Sequence, residues 1–564
     1  MKPALRTLAL ATALAMLAGC ASQPPANNLV EINLVALNDL HGHLEAGKFT
    51  YKGGLFGRQT MLKAGGIDTI AAALQAWRKE DRELLLVGAG DMVGASPAIS
   101  SMWADEPTIG ALNMLGLKAT AVGNHEFDAG RIELLRQQKG GCNSPRPDKA
   151  CKFSATYEGA KFNYLAANVI DLVTKKPILP AYEIVEAHGV KVGLIGAVLK
   201  DTPSVVLASG IAGLAFEDEA QSINRVLPEL KAQGVGVFVV LMHEGGRTES
   251  AFDKQDCSDL KGAIVDVVKR LDPAIRLVVS GHSHKGYLCR VDGKLVTQAE
   301  MGGHMLSRIK LTVDKAANTV RSVSARNVVM QPNWYRPVPE VDAYLKKVKL
   351  RSEQELARPV ARLGAATISR ERHGGDESAL GNLVADATLL SGRPFGAQIA
   401  FMNNGGVRAN LESNAGGFAT VGHAQAVLPF GNTLTVMNMT GAQIKTLLEQ
   451  QWVDDKVASR GLLQLSEGFT YQWDPQQPEG SRVVPGSVML HGVPLEDGAS
   501  YRVAANAFIA AGGDAFPEFA KGTNRVITAV RDIDSLTAYL IKCEQDRKPA
   551  GSVTAQEPRI QRLK

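Results

Sequence analysis

The chain has little of what marks several common protein classes. Aromatic residues make up only 5% of its 564 positions and charged residues 21%, while hydrophobic residues reach 45%. That balance excludes intrinsic disorder and suits a globular chain with a sizeable core. No internal repeat is present, which excludes a fibrous protein. Lys and Arg number 62 against 57 Asp and Glu, scattered among one another, so the net charge of +5 builds no groove for a nucleic-acid polymer. There are six cysteines and no CxxC pair, which argues against a zinc–thiolate centre. The apolar stretch "TLALATALAM" at residues 7–16 is too short to span a bilayer.

What is present begins at the N-terminus. Lys2 and Arg6 precede the apolar stretch, and Leu17-Ala18-Gly19-Cys20 follows it. This resembles the signal peptide and lipobox of bacterial lipoproteins. The resemblance implies a leader over residues 1–20, acylation of Cys20, and a tether over 21–29 that anchors the protein to a membrane without a spanning helix. With Ala21 in place of the inner-membrane retention Asp, the expected location is the periplasm or cell envelope, at the outer membrane. In an exported chain the local pairs Cys142 with Cys151 and Cys257 with Cys289 are expected disulfides, and Cys543 is left over.

A chain of this length exceeds one ordinary core, so two domains are expected. The first half repeats one grammar, an apolar run followed by a polar turn. It recurs in "EINLVALNDLHGH", "ELLLVGAGDMVG", "ATAVGNHEFD", "VGVFVVLMHEGG" and "AIRLVVSGHSH". Helical patterns lie between these runs, which predicts an α/β sheet with the five turns at the carboxyl ends of its strands, where such sheets bind ligands. Near residue 335 the texture changes. A helix with Val341, Leu345 and Val348 on one face is expected to link the domains, over 336–361, and the second half reads as short strands and Gly-rich turns.

The five turns hold Asp39, His41, Asp91, Asn124, His125, His243, His282 and His284. Singly, each is an ordinary cap, turn or core residue. Together, five of the eleven histidines of the chain stand just after predicted strands, and mixed imidazole, carboxylate and amide ligands suit borderline divalent ions. The ordered motifs Asp-x-His, Gly-Asp, Gly-Asn-His-Glu, His and Gly-His-x-His resemble the calcineurin-like metallophosphoesterases, over residues 30–335. The resemblance implies a four-layer αββα domain and two metal ions (Zn²⁺, Mn²⁺ or Co²⁺). Asp39, His41 and His284 would hold one ion, Asn124, His243 and His282 the other, with Asp91 bridging. It further implies that His125, oriented by Asp128, serves the phosphoryl group. Glu126 has no role that the sequence defines.

In the second half "MNNGGVR" sets Asn403 and Arg408 around two glycines, while "LPFGN" and "NAFIAAGGDAF" place Phe430 and Phe508 beside Gly turns. With "ESALGNLVAD" and "MTGAQIKTLLEQ", these resemble the C-terminal domain of 5'-nucleotidases, expected as an α+β domain over 362–545 with a tail over 546–564. The resemblance implies that Phe430 and Phe508 stack a base, Asp514 binds the ribose, Asn403 contacts the base, and Arg408 with Arg370 holds phosphate, while this domain rotates about the linker. Asn404 departs from the family pattern, which has Gly there.

The expected activity is therefore metal-dependent release of phosphate from nucleoside 5'-phosphates, with UDP-sugars open to the same apparatus. The alternatives are a 2',3'-cyclic nucleotide 2'-phosphodiesterase/3'-nucleotidase and, from another class, an inactive nucleotide-binding lipoprotein. The last predicts a broken metal motif, and none is broken.

Overall fold

The computed structural model describes residues 28–53, 58–372, 377–455, 462–552 and 558–563. The leader and Cys20 lie outside them. In the first domain the strands of the two main sheets are β1 (Leu29–Leu37), β2 (Leu85–Ala89), β3 (Leu117–Ala121), β4 (Asn163–Leu165), β5 (Tyr182–Ala187), β6 (Val190–Val198), β7 (Val237–His243), β8 (Leu277–Ser280), β9 (Gly286–Val291), β10 (Lys294–Ala299), β11 (Met305–Asp314) and β12 (Thr319–Val329). They form two six-stranded sheets, ordered β12-β11-β1-β2-β3-β4 and β9-β10-β8-β7-β6-β5. β1, β2 and β3 run parallel in the first sheet, and β6, β7 and β8 in the second. Every residue of β2, β7 and β8 is buried. Strands covered on both faces read as unbroken apolar runs without alternation.

The layers follow from what each face buries. Ile32, Leu34 and Val87 of one sheet pack on Val192, Val239 and Val279 of the other. Outside the first sheet, α1 (Ile67–Glu80) sets Ile70, Leu74 and Trp77 on Val35 and Leu86. Outside the second, α2 (Glu219–Ala232) sets Ile223, Leu227 and Leu230 on Ile195 and Val240. This is the expected αββα arrangement. The connecting helix α3 (Pro339–Leu356) opens with Pro339, which suits a first helical turn, and buries Val341, Leu345 and Val348 in the core of the first domain. Trp103 Nε1 donates to Ser352 Oγ at 2.8 Å and Tyr344 Oη to the Pro107 carbonyl at 2.9 Å. The linker is thus fixed to the first domain, and a hinge between the domains would fall at its C-terminal end.

In the second domain β13 (Ile399–Met402), β14 (Thr433–Thr440), β15 (Gln464–Leu465), β16 (Ser500–Asn506) and β17 (Thr523–Arg531) form a mixed sheet ordered β15-β13-β16-β14-β17. Helices α4 (Ala379–Gly392) and α5 (Asp532–Gln545) pack together through Val384, Leu536 and Leu540. The expected tail is corrected here. Ile560–Arg562 pairs with the strand Phe469–Trp473, and Arg559 makes a bidentate ion pair with the buried Asp386 at 2.7 and 2.9 Å. Burial of Ile560 and this pair bind residues 558–563 into the domain. Both expected disulfides are formed, with Cα separations of 5.5 Å for Cys142–Cys151 and 4.3 Å for Cys257–Cys289, and Cys543 is free.

Candidate metal centre and interdomain cleft

The five polar turns stand at the carboxyl ends of β1, β2, β3, β7 and β8. Because the two sheets lie face to face with these ends on one side, residues more than two hundred positions apart meet. The turns are also tied together through their backbones. Asp39 N donates to the Gly90 carbonyl at 3.0 Å, His41 N to that of Asp91 at 2.9 Å, and His282 N to both Asp39 carboxylate oxygens at 3.0 Å. Asp39, His41, Asp91, His282 and His284 all have left-handed backbone, φ between 46° and 71°. For residues other than glycine this stores strain of about 1 kcal/mol or more each, which only a well-determined surround sustains. Glycine permits the close approach of the turns. A β-carbon on Gly123 would overlap the Asp91 carboxylate, and one on Gly90, at φ +84°, would stand 2.6 Å from His243 Nδ1.

The donor set fits divalent cations, and the reason is in its lone pairs. His41 Nδ1 donates to the Gly94 carbonyl at 2.9 Å, so its Nε2 carries a lone pair, yet that atom lies 3.0 Å from His284 Nε2. His243 repeats the pattern. Its Nδ1 donates to the Ala89 carbonyl at 2.8 Å, and its Nε2 faces Asp91 Oδ2 at 3.0 Å and Asn124 Oδ1 at 3.1 Å. His282 Nδ1 approaches the same Asn124 oxygen at 3.0 Å. Asp91 Oδ2 is fully buried and accepts no hydrogen bond despite this crowding. Acceptors aimed at one another in a buried space are repulsive unless a cation lies between them. Asp39, His41 and His284 make one group able to share an ion, and Asp91 joins both His243 with Asp39 and His41 with His125, all with donor atoms within 4.8 Å. Asp91, like Asp39 and His41, is common to two of these groups.

The electrostatics agree. Burial, opposed by Asp91, holds His41 well below the usual imidazole range, and burial with the neighbouring His243 takes His282 down to about 4. Burial would lower His243 too, but the Asp91 carboxylate outweighs it and lifts that ring to about 10, so that without a metal ion a proton on Nε2 would stand between the two and donate to Asp91. The pull on positive charge at this point is strong.

His125 is held differently. Its Nδ1 meets Asp128 Oδ2 at 2.9 Å and its backbone N–H donates to Asp91 Oδ1 at 2.9 Å. Burial lowers its affinity for a proton, but Asp128 and Asp91 together raise it above the ordinary value. Glu126, to which the sequence assigns no role, is the clamp of the site. Its Oε1 accepts from Met92 N at 2.7 Å and Val93 N at 3.2 Å, and its Oε2 from Gly123 N at 2.6 Å and Asp91 N at 2.9 Å. Burial and the charge of Asp91 push its carboxyl up to about 8, against the pull of these N–H groups. The available signal was a glutamate in a turn flanked by apolar runs.

The second domain closes over this centre. A cleft of about 900 Å³ runs from Asp91, Asn124, His125, His282 and His284 to Asn403, Arg408, Phe430, Phe508 and Asp514. The Phe430 ring lies flat on His125, centroids 5.7 Å apart and planes 17° from parallel, with the Arg408 guanidinium 5.7 Å from its centroid. Arg408 is half-buried; desolvation lowers its pKa, opposed by Asp128, Asp91, Asp514 and Asp39. Two of the expected contacts differ. Arg370 does not line the cleft: it donates to the Arg408 carbonyl at 2.7 Å and opens, with Glu371, Arg372, Asn404 and Asn410, on a separate hollow of about 430 Å³. Asn403 has its amide engaged on both sides, accepting from Asn506 Nδ2 at 2.9 Å and donating to Asp514 Oδ2 at 2.5 Å. It braces the aspartate.

Comparison with known proteins bears on both halves. The model of the calcineurin-like phosphoesterase family matches residues 32–286, and that of the 5'-nucleotidase C-terminal domain matches 356–521. Cell wall protein Lmo0130 of Listeria monocytogenes is 32% identical over 559 residues, covering 94% of this chain and 69% of its own length. Endonuclease YhcR of Bacillus subtilis is 30% identical over 516 residues, and there the match covers 91% of this chain but only 40% of that protein. The crystal structure of a 5'-nucleotidase precursor from Thermus thermophilus superposes with a TM-score of 0.74 at 28% identity, over 95% of this chain and 99% of that one.

Proposed function

The chain belongs to the family that joins a calcineurin-like phosphoesterase domain to a 5'-nucleotidase C-terminal domain, a family of phosphoric-ester hydrolases, and we propose that it is an exported, lipid-anchored dimetal hydrolase that releases phosphate from nucleoside 5'-phosphates. The observation that carries this reading is the delivery of Arg408 and Phe430 by the second domain onto the cleft that His125 and Asp91 open from the first. In this reading Asp39, His41 and His284 would hold one ion and Asn124, His243 and His282 the other, with Asp91 serving both; such a pair of ions would supply Lewis acidity and acidify water. Arg408, with no titration near neutrality, takes a phosphate oxygen pair by its fork. His125, with Nδ1 turned to Asp128, presents Nε2 to the phosphoryl or leaving oxygen as charge develops there. Phe430 and Phe508 take the base, and Asp514, braced by Asn403, the ribose hydroxyls. Arg370 supports Arg408 from behind. UDP-sugars carry the same nucleoside and are proposed as further substrates.

Export and anchoring rest on the leader and Cys20, and one relative bears the name of a cell wall protein. No helix among the described residues is long and apolar enough to cross a membrane.

Dialysis against a chelator is expected to abolish phosphate release from 5'-AMP, with recovery on adding Mn²⁺, Zn²⁺ or Co²⁺. Full turnover by protein shown by elemental analysis to be metal-free would refute the dimetal reading. Run beside 5'-UMP, UDP-glucose, 2',3'-cyclic AMP and bis-p-nitrophenyl phosphate, the same assay ranks the substrate classes, and fastest turnover of the cyclic nucleotide would replace the 5'-nucleotidase assignment. Base stacking on an aromatic ring is worth about 1 to 3 kcal/mol, so Phe430→Ala should lower kcat/KM for 5'-AMP by roughly 5- to 150-fold and leave p-nitrophenyl phosphate within about twofold. Equal losses on both substrates would remove Phe430 from the base site.

A further inference from the structure

Two carboxylates of the metal centre stand between the candidate donor groups. Asp39 and Asp91 each belong to two of them, so residue type alone does not decide which of the two would serve both ions. Their hydrogen bonds differ. Asp91 Oδ2 takes no amide or backbone N–H and faces imidazole nitrogens, His243 Nε2 at 3.0 Å and His41 Nε2 at 3.7 Å. Asp39 Oδ2, in contrast, accepts from Asn38 Nδ2 at 2.7 Å and from His282 N at 3.0 Å. Asp39 Oδ1 shares the His282 N–H, at 3.0 Å, and lies 3.3 Å from His284 Nε2 and 3.9 Å from His41 Nε2. One oxygen of Asp39 is thus tied back, and the other is turned towards two imidazoles.

The tie is Asn38, the buried residue directly after β1. Successive side chains of a strand point to opposite faces, but Asp39 has left-handed backbone at φ 48°, and there the neighbouring side chains of Asn38 and Asp39 meet. The Asn38 amide has one orientation open to it. Its Nδ2 donates to the Glu300 carbonyl at 2.6 Å as well as to Asp39, and its Oδ1 accepts from Ala299 N at 2.8 Å. Turned over, it would set its oxygen against two acceptors and its nitrogen against a donor. Ala299 and Glu300 stand at the end of β10, in the other sheet, and Gly302 N donates to the Asp39 carbonyl at 2.7 Å. Serving those two backbone groups takes one amide hydrogen and the oxygen. The second hydrogen goes to the carboxylate.

We infer that Asn38 is a positioning residue of the metal centre: it holds Oδ2 of Asp39 and leaves Oδ1 for the ion of His41 and His284, so that Asp39 serves that ion alone and Asp91 serves both. The inference rests on the dimetal reading above. Partners that orient a ligand in this way typically carry about 10- to 100-fold of metal affinity. Because Asn38 touches only Asp39 among the candidate ligands, its removal acts on one ion and not on the other.

The test is Mn²⁺ binding by the whole protein in equilibrium dialysis, with Co²⁺ absorption spectra to identify the ion that is lost. The parent should bind two ions per chain. Asn38→Leu, which keeps the approximate volume and removes both ends of the amide, should weaken one ion about 10- to 100-fold and leave the other within about twofold. Asn38→Ser, whose hydroxyl has one hydrogen to give, should weaken the same ion by less, and it serves as the test variant if Asn38→Leu does not fold. At one Co²⁺ per chain the spectrum should match that of His284→Ala, which keeps the second set of ligands, and differ from that of His243→Ala. A residue that only braced the loops would weaken both ions together. Equal loss of both ions, loss of neither, or a remaining ion with the His243→Ala spectrum overturns the inference. A parent that binds fewer than two ions overturns the dimetal reading itself, a result distinct from two ions held equally well by parent and variant.

Discussion

Replacing Asp91 by Asn is expected to lower phosphate release by at least ~10³-fold while the protein remains folded. The size follows from the position of the residue: Oδ2 is buried, accepts no hydrogen bond, and lies 3.0 Å from His243 Nε2 and 3.7 Å from His41 Nε2. No other carboxylate of the site reaches both groups of ligands as closely. Loss of a single electrostatic contact to a transition state typically costs about 2.7 to 4 kcal/mol, and each 1.36 kcal/mol is tenfold in rate, so a residue that serves two ions must cost at least the upper figure. Asn is the informative replacement. It tolerates the left-handed backbone at φ 52° better than Ala does, and its Oδ1 still accepts from His125 N. The measurements are phosphate release, metal content per chain and thermal unfolding on the same sample. A variant with two ions bound and activity within tenfold of the parent would remove Asp91 from the bridge.

Glu126→Gln should act from one step further away, with a loss of stability as its first effect. All four hydrogen bonds to this carboxylate come from backbone N–H groups of two loops. An amide in the same place offers one acceptor oxygen and turns an NH₂ group towards two of those donors. With hydrogen bonds to charged groups worth about 1.5 to 3 kcal/mol each, the first domain should lose about 3 to 5 kcal/mol above about pH 8, where the carboxylate is ionised, and less below it, where a proton already occupies one oxygen. The denaturant midpoint of its unfolding transition should fall accordingly. Because the clamp holds Asp91 N and Gly123 N, the loops that carry Asp91, Asn124 and His125 should loosen together. A displacement of an ångström at a reacting centre costs about 10²-fold, so kcat/KM should fall by that order even where the variant is fully folded and metal-loaded. Unchanged unfolding with unchanged activity would show that the four bonds do not act as a clamp.

The difference between these two residues marks how far chain-local pattern reaches. Asp91 was legible because a fully buried parallel strand leaves an unbroken apolar run, and a residue of metal-ligand type follows it at once in the turn. The same grammar exposed Asp39, His41, Asn124, His243, His282 and His284. The two local disulfides were legible for a similar reason, each pairing cysteines close in sequence within an exported chain. Glu126 sits in the same quoted motif as Asn124 and His125, yet its partners are the N–H groups of Met92 and Val93, some 33 residues earlier. Nothing in a single stretch states that the loops after β2 and β3 are neighbours.

Residue type and strand ends were thus enough for the cluster of candidate ligands, the reaction class and the two-domain layout, since these depend on short segments that carry their own burial pattern. Assembly settled the rest. It turned Arg370 onto the backbone of Arg408 and away from the cleft, engaged both ends of the Asn403 amide, drew residues 558–563 into the second domain, and held five candidate ligand residues in left-handed backbone. Each depends on which groups compete for one hydrogen bond or one buried space after packing. A linear sequence does not record that competition, because the competitors come from segments tens to hundreds of residues apart.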